Sequence, residues 1–297
     1  MEIDQKPFEI DRKLLEKKIL EELDSLTISN DFLFTKTMED NPDICQHLIE
    51  EILGIKIKSI RYLEREKDLE SRVDSKGIRL DVYVEDNGEN RVFDIEMQTT
   101  YSHDLPKRTR YYQNLIDLDQ LKPGEYYGKL GESYIIFICT FDHFHDNRRV
   151  YTIKSTCQEN PKLPFEDGVK KIILNTRGTI GDVSEDLKSF LKYVQCGEIS
   201  GNFVENLDKK FKNVKYGIGR RKEFMTYQMA LLENRMHGQA EGRVEGLAEG
   251  RAEAQKSFAI EMLRDGEPVD KILKFTKLSI EKIHELSASI RKSDQSE

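Results

Sequence analysis

The sequence predicts an α/β sandwich around a mixed sheet over residues 27–225, followed by an all-helical extension. Three patterns carry that expectation. Two β-rich runs, 79–84 and 91–98, flank an Asn87-Gly88 reversal and read as an antiparallel hairpin. The strongly apolar run Ser133 to Thr140 follows an intervening helical stretch, the mark of a central strand covered on both faces. From Glu223 onward the apolar spacing is helical throughout, and part of it carries glycine at every fourth position.

In chain order, residues 8–26 set Leu14, Leu15, Ile19, Leu20 and Leu23 at helical spacing, giving an N-terminal amphipathic arm over 1–26. Ser29-Asn30-Asp31 is a capping run ahead of Phe32, Leu33, Phe34 and Met38. Pro42 opens a second helix with Ile44, Leu48, Ile49, Ile52 and Leu53 on one face, and Gly54 closes it. A strand is expected over 55–63, then the hairpin, then a helix over 104–121 entered through Leu105-Pro106 and stopped by Pro123-Gly124. Strands at 133–140, 150–156 and 171–175 and a helix at 183–194 complete the domain.

At 297 residues the chain has ample apolar material for one large domain and an appendage. It has no apolar run near the ~20 residues that span a bilayer and no basic-apolar signal pattern, so a cytoplasmic protein without a membrane partner is expected. Cys45, Cys139, Cys157 and Cys196 have no zinc-like spacing and are expected as buried free thiols. The net charge of -8 excludes a uniformly basic nucleic-acid coat, so binding a polyanion would require local patches and metal. Two basic stretches qualify, Lys107-Arg108-Thr109-Arg110-Tyr111-Tyr112 and the run Lys209, Lys210, Lys212, Lys215, Arg220, Arg221, Lys222; each is also what a solvated helix face looks like. His143 and His145 are expected in a polar loop, with no third metal ligand evident nearby.

The hairpin carries the chemistry. Strand alternation puts Leu80, Val82 and Val84 with Phe93, Ile95 and Met97 on the core face, and Asp81, Asp94, Glu96 and Gln98 on the other. With the register centred near Asn87-Gly88, Asp81 falls opposite Asp94 and diagonal to Glu96, roughly 5 to 8 Å away. Alternation alone leaves two readings open: a solvated acidic face on an edge hairpin, or carboxylates clustered to share a hard divalent cation.

The segments Ile28-Ser-Asn-Asp-Phe-Leu-Phe34, Lys76-Gly-Ile-Arg-Leu-Asp-Val-Tyr-Val84, Asp94-Ile-Glu-Met-Gln98 and Arg108-Thr-Arg-Tyr-Tyr-Gln113 resemble the recombination-promoting nuclease (Rpn), putative-transposase family of the PD-(D/E)XK superfamily. Phe137-Ile-Cys-Thr-Phe-Asp142 and Leu174-Asn-Thr-Arg-Gly178 extend the resemblance over most of the chain. It implies a restriction-endonuclease-like mixed sheet flanked by helices over 27–225, and a Mg²⁺-dependent DNA endonuclease, with Mn²⁺ able to substitute, linked to recombination, mobile elements or defence against foreign DNA. By the same resemblance Asp81, Glu96 and the Met97 carbonyl hold the metal, with Asp31 a weaker further acid. Gln98 stands where many relatives carry a lysine; it can hydrogen-bond a water but brings no charge. Arg108 is the candidate to supply that charge, while Lys107, Arg110, Tyr111 and Tyr112 are the candidate DNA contacts. The alternative is a catalytically weak or inactive nuclease-fold DNA-binding or regulatory protein that self-associates through its C-terminal helices.

Residues 226–257 form a helix with the repeat Gly238, Gly242, Gly246, Gly250, and 258–297 read as a small bundle of three short helices. Each glycine costs a helix about 0.5–1 kcal/mol relative to alanine, so close packing against a partner helix, and hence a homo-oligomer through the tail, is expected; a solvated helical linker is the other reading. Leu278-Ser279 resembles the turn of a helix-turn-helix, but Glu281 and Glu285 in the second helix disfavour DNA reading.

Overall fold

The structure, a computed structural model, describes residues 12–63, 80–163 and 165–293. The start of the predicted arm (1–11), Arg79 of the first hairpin run and residues 76–78 of the segment that carries the family resemblance lie outside the described residues. The chain divides into two compact units, Met1–Met225 and Thr226–Glu297.

In the first unit, α1 (Arg12–Ser25), α2 (Asp31–Asp40) and α3 (Pro42–Leu53) precede β1 (Ile60–Tyr62), β2 (Val82–Asp86) and β3 (Arg91–Gln98). Then come α4 (Leu105–Gln120), β4 (Glu132–Cys139), β5 (Val150–Ile153), β6 (Val169–Asn175), α5 (Glu185–Cys196) and α6 (Gly201–Tyr216). The local signals act where expected. Asn30 caps α2 by accepting the Leu33 N–H at 3.0 Å, Pro42 starts α3, and Gly54 ends it with φ of 65°. Strand β1 is shorter than the predicted 55–63, and β5 ends at Ile153, at a sheet edge where pairing stops on one side.

The six strands form one mixed sheet in the order β1-β2-β3-β4-β6-β5. Strands β3, β4 and β6 run parallel in its middle, and the outer pairings are antiparallel. Ser133 through Cys139 are all buried, as the unbroken apolar run requires of a central strand. On one face α4 packs Tyr112, Leu115 and Ile116 onto Val92, Ile135 and Phe137. Phe93 and Tyr134 stack at 5.1 Å with the opposite parity along their strands, and α2 packs against β2 and β3.

Helix α1 is docked, not a free arm: Ile19 and Leu23 are buried, because an apolar stripe must be covered. Lys215 ties it down by donating to the Asp24 and Leu26 carbonyls at 2.9 and 2.7 Å, and Arg221 pairs with the Asp24 carboxylate at 2.7 Å. These contacts also correct the second basic stretch. Lys215 is buried, Lys212 pairs with Asp208 at 2.7 Å, and Arg220 bridges Asp40 and Glu223, so part of the run's charge is paired with acids of the same domain. The thiol expectation holds for Cys45 and Cys139, whereas Cys157 is partly exposed and Cys196, at the solvent end of α5, is exposed.

The tail contains α7 (Ile218–Arg264), α8 (Val269–Thr276) and α9 (Ile280–Ser293). The segment predicted as the first of three short helices, 258–266, is mostly the end of the 47-residue α7. The glycines weaken that helix without breaking it, and termination waits for Gly266 at φ of 74° and Pro268. Ala259, Met262, Ile272 and Ile283 form the small core there. Nothing lies within 4 Å of where a Cβ would sit on Gly238, Gly242, Gly246 or Gly250. Among the described residues no helix is long and apolar enough to cross a membrane.

Candidate active site

The hairpin forms, but its register differs from the one predicted. Val82 pairs with Ile95 and Tyr83 with Asp94, which brings Asp81 across from Glu96 and not from Asp94. The turn is longer than a two-residue reversal: residues 87–90 connect the strands, with the Gly88 N–H donating to Asp86 Oδ1 at 3.1 Å and Arg91 Nη2 to Asp86 Oδ2 at 2.5 Å. The pairing shifts by two residues, which preserves the face of every side chain. The two acids are then locked reciprocally. Asp81 N–H donates to Glu96 Oε1 at 2.9 Å, and Met97 N–H donates to Asp81 Oδ2 at 3.0 Å.

The acid-bearing face is not solvated. Asp94 is 0 % and Glu96 4 % exposed, because α4 covers this side of the sheet; the expectation of a non-core face fails there. Both strand faces are buried on β3, and alternation cannot reveal that when a helix supplies the cover. Among the described residues neither carboxylate oxygen of Asp94 has a well-formed hydrogen bond, nor does the hydroxyl of its register partner Tyr83. Burial, reinforced by the Asp81 charge, holds the Asp94 carboxyl well above its ordinary pKa, with the adjacent Glu96 carboxyl and then Arg108 opposing. Burial also raises Glu96, with Asp94 and Asp81 adding to it and the Asp81 N–H and Arg108 working against it.

A group whose folded pKa is raised favours folding below its unfolded pKa, about 4, and that contribution is lost as pH climbs through the folded value. Without divalent metal, thermal stability therefore falls from mildly acid to mildly alkaline pH. Asp94→Asn, which cannot ionise, flattens that dependence and stabilises the protein by about 1–3 kcal/mol on the alkaline side. Melting curves of both proteins across this range check it.

Gln98 and Arg108 meet beside the acids. Arg108 Nη1 donates to Gln98 Oε1 at 2.7 Å, while Gln98 Nε2 donates to the Thr100 carbonyl at 2.5 Å. The guanidinium also stands 3.8 Å from Glu96 Oε2, and its carbon lies 5.4 and 5.5 Å from the Phe137 and Tyr112 ring centroids. Its position follows from sequence: Arg108 is in the first turn of α4, whose apolar side must rest on β4.

The other predicted residues separate. Lys107 and Arg110 are exposed and Tyr111 is half-buried, all on α4. Tyr112 is buried and its hydroxyl accepts from Arg108 Nη2 at 3.0 Å, so it supports Arg108 and offers no surface to DNA. Asp31 sits exposed at the start of α2, where its carboxylate accepts the Phe32 N–H at 2.7 Å. Asp94 was legible as one of the hairpin acids but not as a site residue; the available signal was its two-residue spacing from Glu96. A separate set, His47, Glu51 and Asp186, brings potential ligand atoms within 4.8 Å between α3 and α5; there the His47 Nε2 and Asp186 Oδ2 atoms are hydrogen-bonded at 2.9 Å.

No curated protein and no solved structure matches this chain. A family model does, over residues 28–192, a span that holds the whole sheet and both partners of the acidic hairpin, and the chain thereby belongs to the PD-(D/E)XK nuclease family transposases.

Proposed function

We propose that this chain is a divalent-metal-dependent DNA endonuclease that hydrolyses phosphodiester bonds. Membership of its family gives it a nuclease- or transposase-related function. The observation that carries the finer reading is the carboxylate set: two buried acids, Asp94 and Glu96, gathered beside the half-buried Asp81, both with raised pKa values, are a costly arrangement that a cation would relieve. The donors are all oxygens, which suits Mg²⁺, with Mn²⁺ as a substitute.

Asp81, Glu96 and the Met97 carbonyl would hold the ion, and Asp94 adds negative charge behind them. When bound, the cation lowers the pKa of a water and polarises the phosphate. Gln98 orients the attacking water through its amide, and Arg108, already anchored on Gln98, offers its free edge to the negative charge that develops on the phosphate. Lys107, Arg110 and Tyr111 meet the DNA backbone along α4. The exposed glycine ridge of α7 supports self-association through the tail, and the family's transposase character supports a role in recombination or mobile elements.

Supercoiled plasmid incubated with the protein tests this reading. Nicking should require Mg²⁺ or Mn²⁺ and be lost in Asp81→Ala. Metal-independent nicking, or equal nicking by the variant, overturns it.

A further inference from the structure

Beyond Gln98 and Cys139, which are register partners at the ends of β3 and β4, the two chains stay together. Thr140 N–H donates to the Gln98 carbonyl at 3.1 Å, and Thr140 Oγ1 to the Thr99 carbonyl at 3.1 Å. They then deliver an aromatic group built on Tyr101. Its ring lies 4.9 Å from His103, 5.2 Å from Phe141, 5.7 Å and nearly parallel to His143, and 6.3 Å from His145. Only Thr99 and Thr100 separate Tyr101 from Gln98, so the two Cα atoms lie at most about 11 Å apart.

The group is fixed, yet turned outward. Asp142 accepts from the Phe144 N–H at 3.1 Å, the Asn147 N–H at 2.7 Å and the Tyr151 hydroxyl at 2.8 Å, which pins the loop. Tyr101 is nevertheless 40 % exposed. Structural aromatics normally bury their faces, so a braced ring cluster open to water beside a site for phosphodiesters calls for a ligand with a π-face. Of the acids nearby, Asp146 pairs with Arg148 at 2.7 Å, Asp142 accepts those three neutral donors, and Asp104 accepts from the Ser102 hydroxyl. His103, whose Nδ1 shares a hydrogen bond with the Tyr101 hydroxyl at 3.4 Å, and His145 stand exposed at the rim.

We propose that Tyr101, backed by His143 and Phe141, is a stacking platform for an unpaired nucleobase of the strand bound across the acidic site, so that the favoured substrate is DNA with a single-stranded or melted segment at the cleavage point. This rests on the nuclease reading. Bases within an intact duplex already stack on their neighbours and cannot present a face to Tyr101 without being extruded. Stacking on one aromatic side chain is sequence-tolerant, so the platform selects strand state and not sequence.

The test measures binding in the absence of divalent metal, which separates it from cleavage. A single-stranded oligonucleotide carrying 2-aminopurine and a fully paired duplex are titrated with wild type, Tyr101→Ala and Tyr101→Phe, the folds being compared by circular dichroism. Tyr101→Ala should weaken single-strand binding about 5- to 100-fold and abolish 2-aminopurine quenching, with duplex affinity changed less than about two-fold. Tyr101→Phe, which keeps the ring, should bind as wild type does. Unchanged single-strand binding by Tyr101→Ala, an equal loss on both DNAs, or no single-strand binding by wild type overturns the platform. Asp81-dependent plasmid cleavage alongside any of these leaves the nuclease standing; Tyr101-dependent binding without cleavage does the reverse.

Discussion

Arg108→Ala should lower plasmid cleavage about 100- to 1000-fold, the usual cost of removing one preorganised donor from a developing oxyanion. The guanidinium is held on three sides, by Gln98 Oε1, the Tyr112 hydroxyl and the Phe137 and Tyr112 rings, so it cannot easily be replaced by a neighbour. Because Gln98 brings no charge, Arg108 is the cation nearest to the acids along α4, only 3.8 Å from Glu96. Arg108→Lys keeps the charge but loses the planar fork, and should recover only part of the rate. The loss should fall on kcat more than on KM, since the interaction strengthens as charge develops. Cleavage at the parental rate by Arg108→Ala would remove Arg108 from the chemistry.

Glu96→Gln should abolish detectable cleavage while leaving the protein at least as stable as wild type without metal. The amide oxygen of glutamine can still accept the Asp81 N–H, so the hairpin lock survives, and the substitution removes one of the mutually repelling buried acids. Opposite signs on activity and stability distinguish a site built for a cation from an acid that merely braces the fold. The pH dependence follows from the same cause. Both Asp94 and Glu96 have raised pKa values, so protons compete with metal, and cleavage at limiting Mg²⁺ should rise with pH above the ordinary carboxylate range. Initial rates and melting temperatures measured on one preparation of each protein settle the point.

Much of this site is legible in the sequence because it is local. Period-two alternation fixes which hairpin side chains share a face, and a two-residue register error leaves those faces intact, so Asp81, Glu96 and Gln98 group correctly even though Asp81 was paired with the wrong acid. Arg108 is legible for a similar reason: it lies one turn into the helix that follows the strand, and that helix has to return over the sheet. What pattern could not supply is tertiary. The cover that α4 gives Asp94 turns a surface acid into a fully buried one. Lys215 looked like part of a basic surface until α1 docked and gave it two carbonyls, and Tyr112 looked like a DNA contact until the sheet buried it. The continuity of α7 was hidden by its glycines, which lower helix propensity at each step without a proline to end the helix.

Whether the hairpin binds a divalent cation is decided most directly by titrating the wild-type protein and Glu96→Gln with Mn²⁺ in a calorimeter, in two buffers of different protonation enthalpy. Wild type should bind Mn²⁺ with release of protons from the raised carboxyls, and the variant should lose that binding. Equal binding by the two proteins, or binding by wild type with no proton released, would contradict a metal site on Asp81 and Glu96.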